Sequence, residues 1–397
     1  MRLSLFLVLS ALLALAACRE QTSPVPEPDI EPFASGPNVV ASTNLEVDPQ
    51  YMAVGDEAMH RLLLGDPDPK GGLASLLDVL AYPEAAWVTE ISVPAALELY
   101  GPFADEQISV VSYVMYPSGH RGPKTTYAFP YHDSAYGTFN DMLAPGEAPV
   151  FAEPDARYPL VVLSHGASAH GIFDIAHAQA LASHGYIVAV ITYGEERFRV
   201  ADSENDHIAF LRPLITSEVI DSLLMSEEFG RHIDKENIGI SGFSFGGFTA
   251  LAATGGPFLG QDATAHDPRI AASVAAAPWV GHRDAFRGFL AFGEDNRGLS
   301  NVTVPTLVFY GTEDQVTSGK YILPAVEQLA GPRYLVELVD QRHDLDEGAW
   351  QDRNNWELLF FNAYLKHDAE AREKLRVGNG FVGGSTDRQR FDFQVLP

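Results

Sequence analysis

The chain has almost no cysteine. Cys18 is the only one among 397 residues. A single thiol excludes an intramolecular disulfide and any metal site built from several cysteines. The fold must therefore rest on apolar packing, and a hydrophobic content of 46% is ample for a large core in one or two domains.

Positive charge and cofactor motifs are scarce too. The chain has 26 Lys and Arg against 53 Asp and Glu, a formal net charge of −27. This balance disfavours nucleic acid or an anionic membrane surface as a partner. There is no phosphate loop, dinucleotide fingerprint or haem motif, so no cofactor is predicted. His165 and His170 lack the three-ligand spacing of a zinc site, so no metal is predicted either.

The first 18 residues have the pattern of a targeting segment. Arg2 supplies a charge, residues 3–17 are apolar, and residues 15–18 read Leu-Ala-Ala-Cys. This pattern resembles a bacterial lipoprotein signal that is cleaved before Cys18, which would then carry lipid. An uncleaved transmembrane anchor is the alternative, but about 15 apolar residues are fewer than the roughly 20 needed to span a bilayer. We expect a lipid-anchored protein of the bacterial cell envelope, and Arg19 favours the outer membrane.

Composition divides the rest of the chain into three parts. Residues 19–47 are rich in proline and acid and are expected to form an extended linker. Residues 48–104 are expected to form an N-terminal extension, with helix-like stretches at 59–64 and 73–80 and no assigned role. Residues 105–397 are expected to form the main domain.

The main domain alternates between apolar runs and helix-length segments. This alternation predicts an α/β fold with a mostly parallel central sheet and helices on both faces. Active sites in such sheets lie at the carboxyl ends of the strands. The predicted strands are 108–116, 160–164, 186–193, 238–240, 270–277, 306–310 and 334–339, and the predicted helices include 174–184 and 219–225.

A glycine-flanked serine lies between a predicted strand and a predicted helix. Residues 242–246 read Gly-Phe-Ser-Phe-Gly, after the strand at 238–240 and before an apolar helix that begins near Phe248. This context is typical of a nucleophilic serine held in a strained turn above a sheet. A side chain at Gly242 or Gly246 would collide with the neighbouring strand or helix. The alternative is a Gly/Ser turn without chemistry.

A serine nucleophile needs an acid that orients its base, and in this arrangement the acid follows the serine in the chain. Asp314 comes directly after the strand at 306–310, at its carboxyl end. Its neighbour Glu313 would point away from the site if Asp314 points in. Asp284 is the alternative, one strand earlier.

The base is nearly determined by position. His343 and His367 are the only histidines after Asp314. His367 lies in a helical pattern, whereas His343 lies in a loop beyond the strand at 334–339. The sequence therefore predicts Ser244 as nucleophile, His343 as base and Asp314 as the orienting acid.

Two backbone N–H groups are predicted to hold the oxyanion. One is that of Phe245, the residue after the nucleophile. The other is that of Ala167, where Gly166 would let the loop approach the serine closely. His165 precedes the nucleophile and is expected to order this loop.

These residues together resemble the α/β-hydrolase superfamily, in the branch of dienelactone hydrolases, platelet-activating-factor acetylhydrolases and cutinase-like polyester hydrolases. The resemblance covers about residues 105–368 and implies that residues 105–397 are a catalytic domain. It further implies that Phe243, Phe245 and Trp279 line the substrate pocket. Two departures concern the polyester hydrolases: this chain lacks their C-terminal disulfide, and Ala167 replaces their frequent aromatic residue. The segments that carry the resemblance are 114–117, 164–167, 182–186, 242–247, 276–279, 305–311 and Asp314.

The expected function is that of a serine hydrolase that cleaves carboxylic esters of small molecules, lipids or polyesters through an acyl-enzyme. A lactonase or dienelactone hydrolase and an acyl-peptidase are alternatives. The peptidases usually carry a propeller or a cap, and the chain has no length for one before residue 105. A non-catalytic lipid-binding surface lipoprotein is the alternative from another class.

Overall fold

The computed structural model describes residues 35–44, 46, 48, 77, 80–120, 125–131, 135–139, 141–167, 169–193, 205–256, 265–281, 292–293, 295–377 and 389–394. The expected signal segment with Cys18, most of the expected linker and the helix-like stretch 59–64 lie outside these residues. Within them, no helix combines the length and the apolar character that crossing a membrane requires.

The strands are numbered in chain order. They are β1 (Val39–Ser42), β2 (Trp87–Ser92), β3 (Gln107–Ser118), β4 (Thr125–Tyr131), β5 (Ala135–Phe139), β6 (Asp141–Met142), β7 (Tyr158–Ser164), β8 (Ile187–Thr192), β9 (Ile233–Phe243), β10 (Ile270–Ala276), β11 (Thr306–Gly311), β12 (Arg333–Leu338) and β13 (Gln389–Gln394).

The α-helices are numbered in the same way. They are α1 (Leu97–Tyr100), α2 (Ile175–Ser183), α3 (Asn205–Met225), α4 (Phe245–Ala253), α5 (Gly319–Gln328), α6 (Glu347–Tyr364) and α7 (Ala369–Val377).

One large sheet organises the described residues. Its order is β13-β12-β11-β10-β9-β7-β8-β3-β1-β6, and β2 also pairs with β3. The six neighbours from β8 to β12 run parallel, whereas β3 and β13 flank them in antiparallel orientation. β4 and β5 form a separate antiparallel pair. The prediction of an α/β fold with a mostly parallel central sheet is confirmed.

The central strands are apolar throughout because helices cover both faces of the sheet. Every residue of β7 and β8 is buried. On one face, Val161 and Leu163 pack in a cluster with residues of α2 and α6. On the other face, Leu160 and Val162 pack with residues of α3.

The main sheet begins earlier in the chain than the sequence indicates. Val39–Ser42, within the expected linker, pairs with β3, and its Val40 and Ala41 are buried. Trp87–Ser92, within the expected extension, pairs with β3 as well. Two short strands from before residue 105, the expected start of the main domain, thus belong to the sheet. Because the composition before β1 is acidic and proline-rich, its short apolar run was not recognised as a strand.

Helix α3 is also longer than predicted. It begins at Asn205, whereas the sequence pattern predicts a helix over 219–225. Pro213 lies inside it, and proline ordinarily breaks a helical pattern. The part of α3 that precedes residue 219 contains Arg212, which contacts the loop after β7.

Candidate active site

Ser244 occupies a sharp turn between β9 and α4. Its backbone has φ 57° and ψ −114°, and residues other than glycine rarely adopt a positive φ of this kind. Its N–H donates to the carbonyl of Ala276 at 2.8 Å, and its carbonyl accepts from the N–H of Trp279 at 3.0 Å. The neighbouring strand β10 and the residues after it therefore hold the strained turn in place.

The glycines around Ser244 permit very close backbone contacts, as the sequence predicts. A Cβ on Gly246 would overlap the carbonyl oxygen of Ser164, and a Cβ on Gly242 would overlap the carbonyl oxygen of Gly246. Gly166 is different, since a Cβ there would lie 3.5 Å from Cβ of Ser244, an ordinary contact distance. The loop after β7 thus lies directly beside the serine.

The structure brings the three predicted triad residues together. Nε2 of His343 lies 2.9 Å from Oγ of Ser244, and Nδ1 of His343 lies 2.8 Å from Oδ2 of Asp314. The imidazole therefore bridges the hydroxyl and the carboxylate with one ring nitrogen each. This geometry allows Ser244 to give its proton to His343 while Asp314 holds the other N–H.

Asp314 is a buried carboxylate with a full set of donors. Its Oδ1 accepts from the N–H groups of Val316 and Thr317 at 2.8 and 2.9 Å. Its Oδ2 accepts from Oγ1 of Thr317 and from His343, both at 2.8 Å. Burial by itself would raise the pKa of Asp314, but the hydrogen bonds from His343 and Thr317 lower it below its ordinary value. Asp314 is therefore ionised at neutral pH.

Asp314, and not its neighbour Glu313, takes the acid position. Glu313 is exposed, whereas Asp314 is 3% exposed. Asp284, the alternative acid, lies outside the described residues. Since Asp314 already bonds Nδ1 of His343, the acid position beside this histidine is occupied.

The loop that carries His343 is tied to the loop that carries Asp314. The N–H of Glu313 donates to the carbonyl of Gln341 at 2.9 Å. Gln341 in turn exchanges two hydrogen bonds with Asp346, at 2.7 and 3.0 Å, and Asp346 caps the N-terminus of α6. His343 is thus fixed between a strand end and a helix start.

The loop after β7 has a neutral histidine inside it. Nδ1 of His165 donates to the carbonyl of Gly166 at 2.8 Å, and its Nε2 accepts from the N–H of Tyr193 at 3.2 Å. Burial and the nearby charge of Arg212 hold the pKa of His165 well below its ordinary value. A neutral ring with one donor and one acceptor matches both bonds, so this histidine orders the loop.

A comparison with known families bears on this arrangement. The sequence model of the family "Platelet-activating factor acetylhydrolase, isoform II" matches residues 137–201. The chain has the α/β-hydrolase fold. The match supports the acetylhydrolase branch of that fold and indicates a hydrolase that acts on esters. The matched part includes β7, the loop with His165 and β8, whereas Ser244, Asp314 and His343 come after it. A search of curated proteins gave no match.

The site also contains two residues that the sequence did not single out. Thr317 is one, because its hydroxyl and its N–H both bind the carboxylate of Asp314. The aspartate at a strand end was the available signal, because such a side chain often accepts from the backbone N–H two residues further on, as Asp314 does from Val316.

Arg212 is the second missed residue. Its Nη1 donates to the carbonyl of His165 at 2.6 Å and its Nη2 to that of Gly166 at 3.2 Å. The side chain is fully buried. Its Cζ lies 4.5 Å from the ring centre of Tyr193 and 4.7 Å from that of Phe245. An arginine amid the apolar residues of α3 was the only signal in the sequence.

The predicted pocket aromatics lie around the triad. The ring of Phe243 is 5.0 Å from that of His343 and 5.1 Å from that of Trp350. Phe245 stacks on Phe248 at 5.2 Å, and Trp279 packs partly buried in the same cluster. Their roles as pocket residues stay predictions. No cluster of three or more metal-binding side chains occurs in the part of the chain that the structure describes.

Proposed function

We propose that the protein is a serine esterase that cleaves carboxylic esters. The observation that carries the proposal is the bridge made by His343, with Nε2 2.9 Å from Oγ of Ser244 and Nδ1 2.8 Å from Oδ2 of Asp314. Oγ attacks the ester carbonyl while Nε2 takes its proton. The carboxylate of Asp314 then stabilises the imidazolium that forms.

The tetrahedral intermediate needs donors for its oxyanion. Phe245 is the first residue of α4, and the first N–H groups of a helix have no partner within the helix. The N–H of Phe245 and that of Ala167 are proposed to bind the oxyanion. The positive end of the helix dipole at Phe245 favours the same negative charge.

The reaction then proceeds in two halves. The intermediate collapses, the bond from the carbonyl carbon to the alcohol oxygen breaks, and the imidazolium of His343 protonates the leaving alcohol. The acyl group stays on Oγ of Ser244. A water molecule next attacks the acyl carbon, His343 takes its proton, and Ser244 recovers a proton as the carboxylic acid leaves.

The aromatic residues at the site suggest the substrate class. Phe243 and Trp279 present apolar rings that would favour an apolar acyl or aryl group over a charged one. Lipid esters and polyesters both fit this description. A lactone carries its alcohol and acyl groups in one molecule, and the same residues would cleave it.

We propose, in addition, that the mature protein is held in the bacterial cell envelope by lipid on Cys18. The residues before Cys18 support this proposal through their charge and apolar pattern. The experiment is metabolic labelling with an alkyne fatty acid in a bacterial host. Wild-type protein should label and fractionate with membranes, whereas Cys18→Ser should do neither. A labelled Cys18→Ser protein would refute the lipid site.

Hydrolysis of p-nitrophenyl esters of increasing acyl length tests the esterase proposal. Wild-type protein should turn over at least the short-chain esters. Ser244→Ala should lose about 10³-fold or more in kcat, because the nucleophile is gone. Ser300→Ala, at an exposed serine outside the site, is the matched control and should keep wild-type turnover. The proposal is wrong if Ser244→Ala retains wild-type turnover.

A further inference from the structure

The carbonyl and the N–H of the peptide unit between Gly166 and Ala167 have different hydrogen-bonding roles. Its N–H is the second oxyanion donor in the proposed reaction. Its carbonyl oxygen accepts two hydrogen bonds, from Nδ1 of His165 at 2.8 Å and from Nη2 of Arg212 at 3.2 Å. Because the peptide unit is planar, groups that fix the carbonyl also fix the direction of the N–H.

Arg212 holds more than this one carbonyl. Its Nη1 donates to the carbonyl of His165 at 2.6 Å, so the guanidinium binds two successive carbonyls of the loop. A planar guanidinium presents its donors in a rigid fork, which suits such a pair. The positions of both peptide units are therefore defined by one side chain that the protein buries completely.

The same guanidinium contacts the other half of the oxyanion site. Its Cζ lies 4.7 Å from the ring centre of Phe245, whose N–H is the first oxyanion donor. Arg212 thus contacts the loop that carries one donor and the side chain of the residue that carries the other. Buried charge is costly, so a fully buried arginine in this place calls for a role.

We propose that Arg212 is a positioning residue for the oxyanion site: it orients the peptide unit of Gly166 and Ala167 and strengthens its N–H as a donor. The inference rests on the proposed esterase function. A cation bonded to a carbonyl oxygen draws electron density from the amide, and hydrogen bonds in such a chain strengthen one another. The gain is larger for a charged oxyanion than for a neutral ester carbonyl. The effect should therefore appear in kcat more than in KM.

Two substitutions at Arg212 test this. Arg212→Gln removes the charge and should lower kcat by about 10- to 100-fold, somewhat less than losing a whole oxyanion donor, with KM for the ester within about threefold of wild type. Arg212→Lys keeps the charge but has one nitrogen for two carbonyls, so kcat should fall by about 3- to 10-fold. If Arg212→Gln does not fold, Arg212→Lys decides.

A spectroscopic signature separates positioning from mere packing. The amide proton of Ala167 should shift downfield when Ser244 is converted to its phosphonate adduct, since the adduct places an oxygen in the oxyanion site. This shift should shrink in both Arg212 variants. The matched control is Thr306→Val, at a fully buried threonine that begins β11, at the end of that strand remote from Asp314, and whose hydroxyl donates to the carbonyl of Val304. It should lower Tm but leave kcat and the amide shift unchanged.

The outcomes are distinguishable. A folded Arg212→Gln protein with kcat within threefold of wild type and an unchanged amide shift would overturn the inference alone. Thr306→Val with the same loss of kcat would do so as well, because general destabilisation would then explain both. An inactive wild-type protein, or an active Ser244→Ala protein, would overturn the proposed function and this inference with it.

Discussion

His343 and Ser244 are 99 residues apart in the chain, yet Nε2 of the one lies 2.9 Å from Oγ of the other. The sheet explains this distance. Ser244 follows β9 and His343 follows β12, and β10 and β11 lie between these strands in the same parallel sheet. Asp314 follows β11. Because the carboxyl ends of parallel strands share one edge, the three side chains converge there.

Asp314→Asn should lower kcat by about 10³- to 10⁴-fold while Tm changes little. An asparagine amide can donate to Nδ1 of His343, and the ring proton would then lie on Nε2. A protonated Nε2 cannot accept the proton of Ser244. Glu313→Gln is the matched control, because Glu313 is the adjacent acid and is exposed. Steady-state ester hydrolysis measures both. Equal activity in the two variants would contradict the assignment of Asp314.

Gly246→Ala should destabilise the protein, whereas Gly166→Ala should leave its stability unchanged. The Cβ at residue 246 would overlap the carbonyl oxygen of Ser164, so the backbone must shift and the free energy of unfolding should fall by about 1–3 kcal/mol. The Cβ at residue 166 meets its neighbours at 3.5 Å or more, so Tm should be preserved. Thermal unfolding followed by circular dichroism measures this. The reverse order of Tm values would contradict the described contacts.

His165 makes stability depend on pH in a defined direction. Its folded pKa lies well below its ordinary value because of burial and Arg212. Below about pH 6.5 the unfolded chain binds a proton at this residue and the folded chain does not. Stability should therefore fall as pH falls, by about 1.4 kcal/mol per pH unit, until the folded pKa is reached.

The measurement is denaturant unfolding of wild type and His165→Asn between pH 7.5 and about 5. Asparagine keeps a donor near the position of Nδ1 but does not titrate. The difference in unfolding free energy between the two proteins should shrink as pH falls. Parallel curves over this range would show that His165 is not the neutral, buried group described here.

A buried ionic cluster lies against β9, apart from the triad residues, and should be costly to disrupt. Oε1 of Glu357 lies 3.0 Å from Nε2 of His177, and its Oε2 lies 3.3 Å from Nη2 of Arg353. Burial would raise the pKa of Glu357, but these two partners lower it to about 2. Glu357→Gln removes the carboxylate that pairs directly with the buried Arg353 and should cost about 3–5 kcal/mol in unfolding free energy.

An exposed ion pair provides the control for that prediction. Glu373 pairs with Arg376 on the surface of α7, with both side chains more than half exposed. Glu373→Gln should leave Tm unchanged, because exposed pairs contribute little. Chemical denaturation of both variants decides. A loss from Glu357→Gln no larger than that from Glu373→Gln would contradict the importance of the buried cluster.

The three side chains that the structure brings together could be chosen from the sequence because their chemistry limits the choices. Only two histidines follow Asp314, and one of them lies in a helical pattern, so His343 could be chosen without a structure. The strained turn at Ser244 was predictable from its glycines, whose absent side chains leave a clear pattern. The central strands were predictable because burial on both faces makes them apolar throughout.

Other features depended on contacts that leave no periodic signal. Strand β1 has four residues and follows a proline-rich stretch, and its place in the sheet comes from pairing with the distant β3. Arg212 reads as an ordinary charged residue until the fold places it under the loop of His165. Thr317 differs, because the turn that the side chain of Asp314 closes is a local feature. An aspartate at a strand end can indicate such a turn. The features that the sequence did not predict, such as β1 and the role of Arg212, depend on long-range partners more than on local patterns.

The most direct test of the central claim is labelling with a fluorophosphonate probe, followed by peptide mapping with mass spectrometry. Such probes react with serines that a neighbouring base activates. We predict one adduct on wild-type protein, located on Ser244, and none on Ser244→Ala. A folded wild-type protein that never labels, or that labels at another serine, would contradict it. The absence of any adduct would favour a lipid-binding lipoprotein without catalysis.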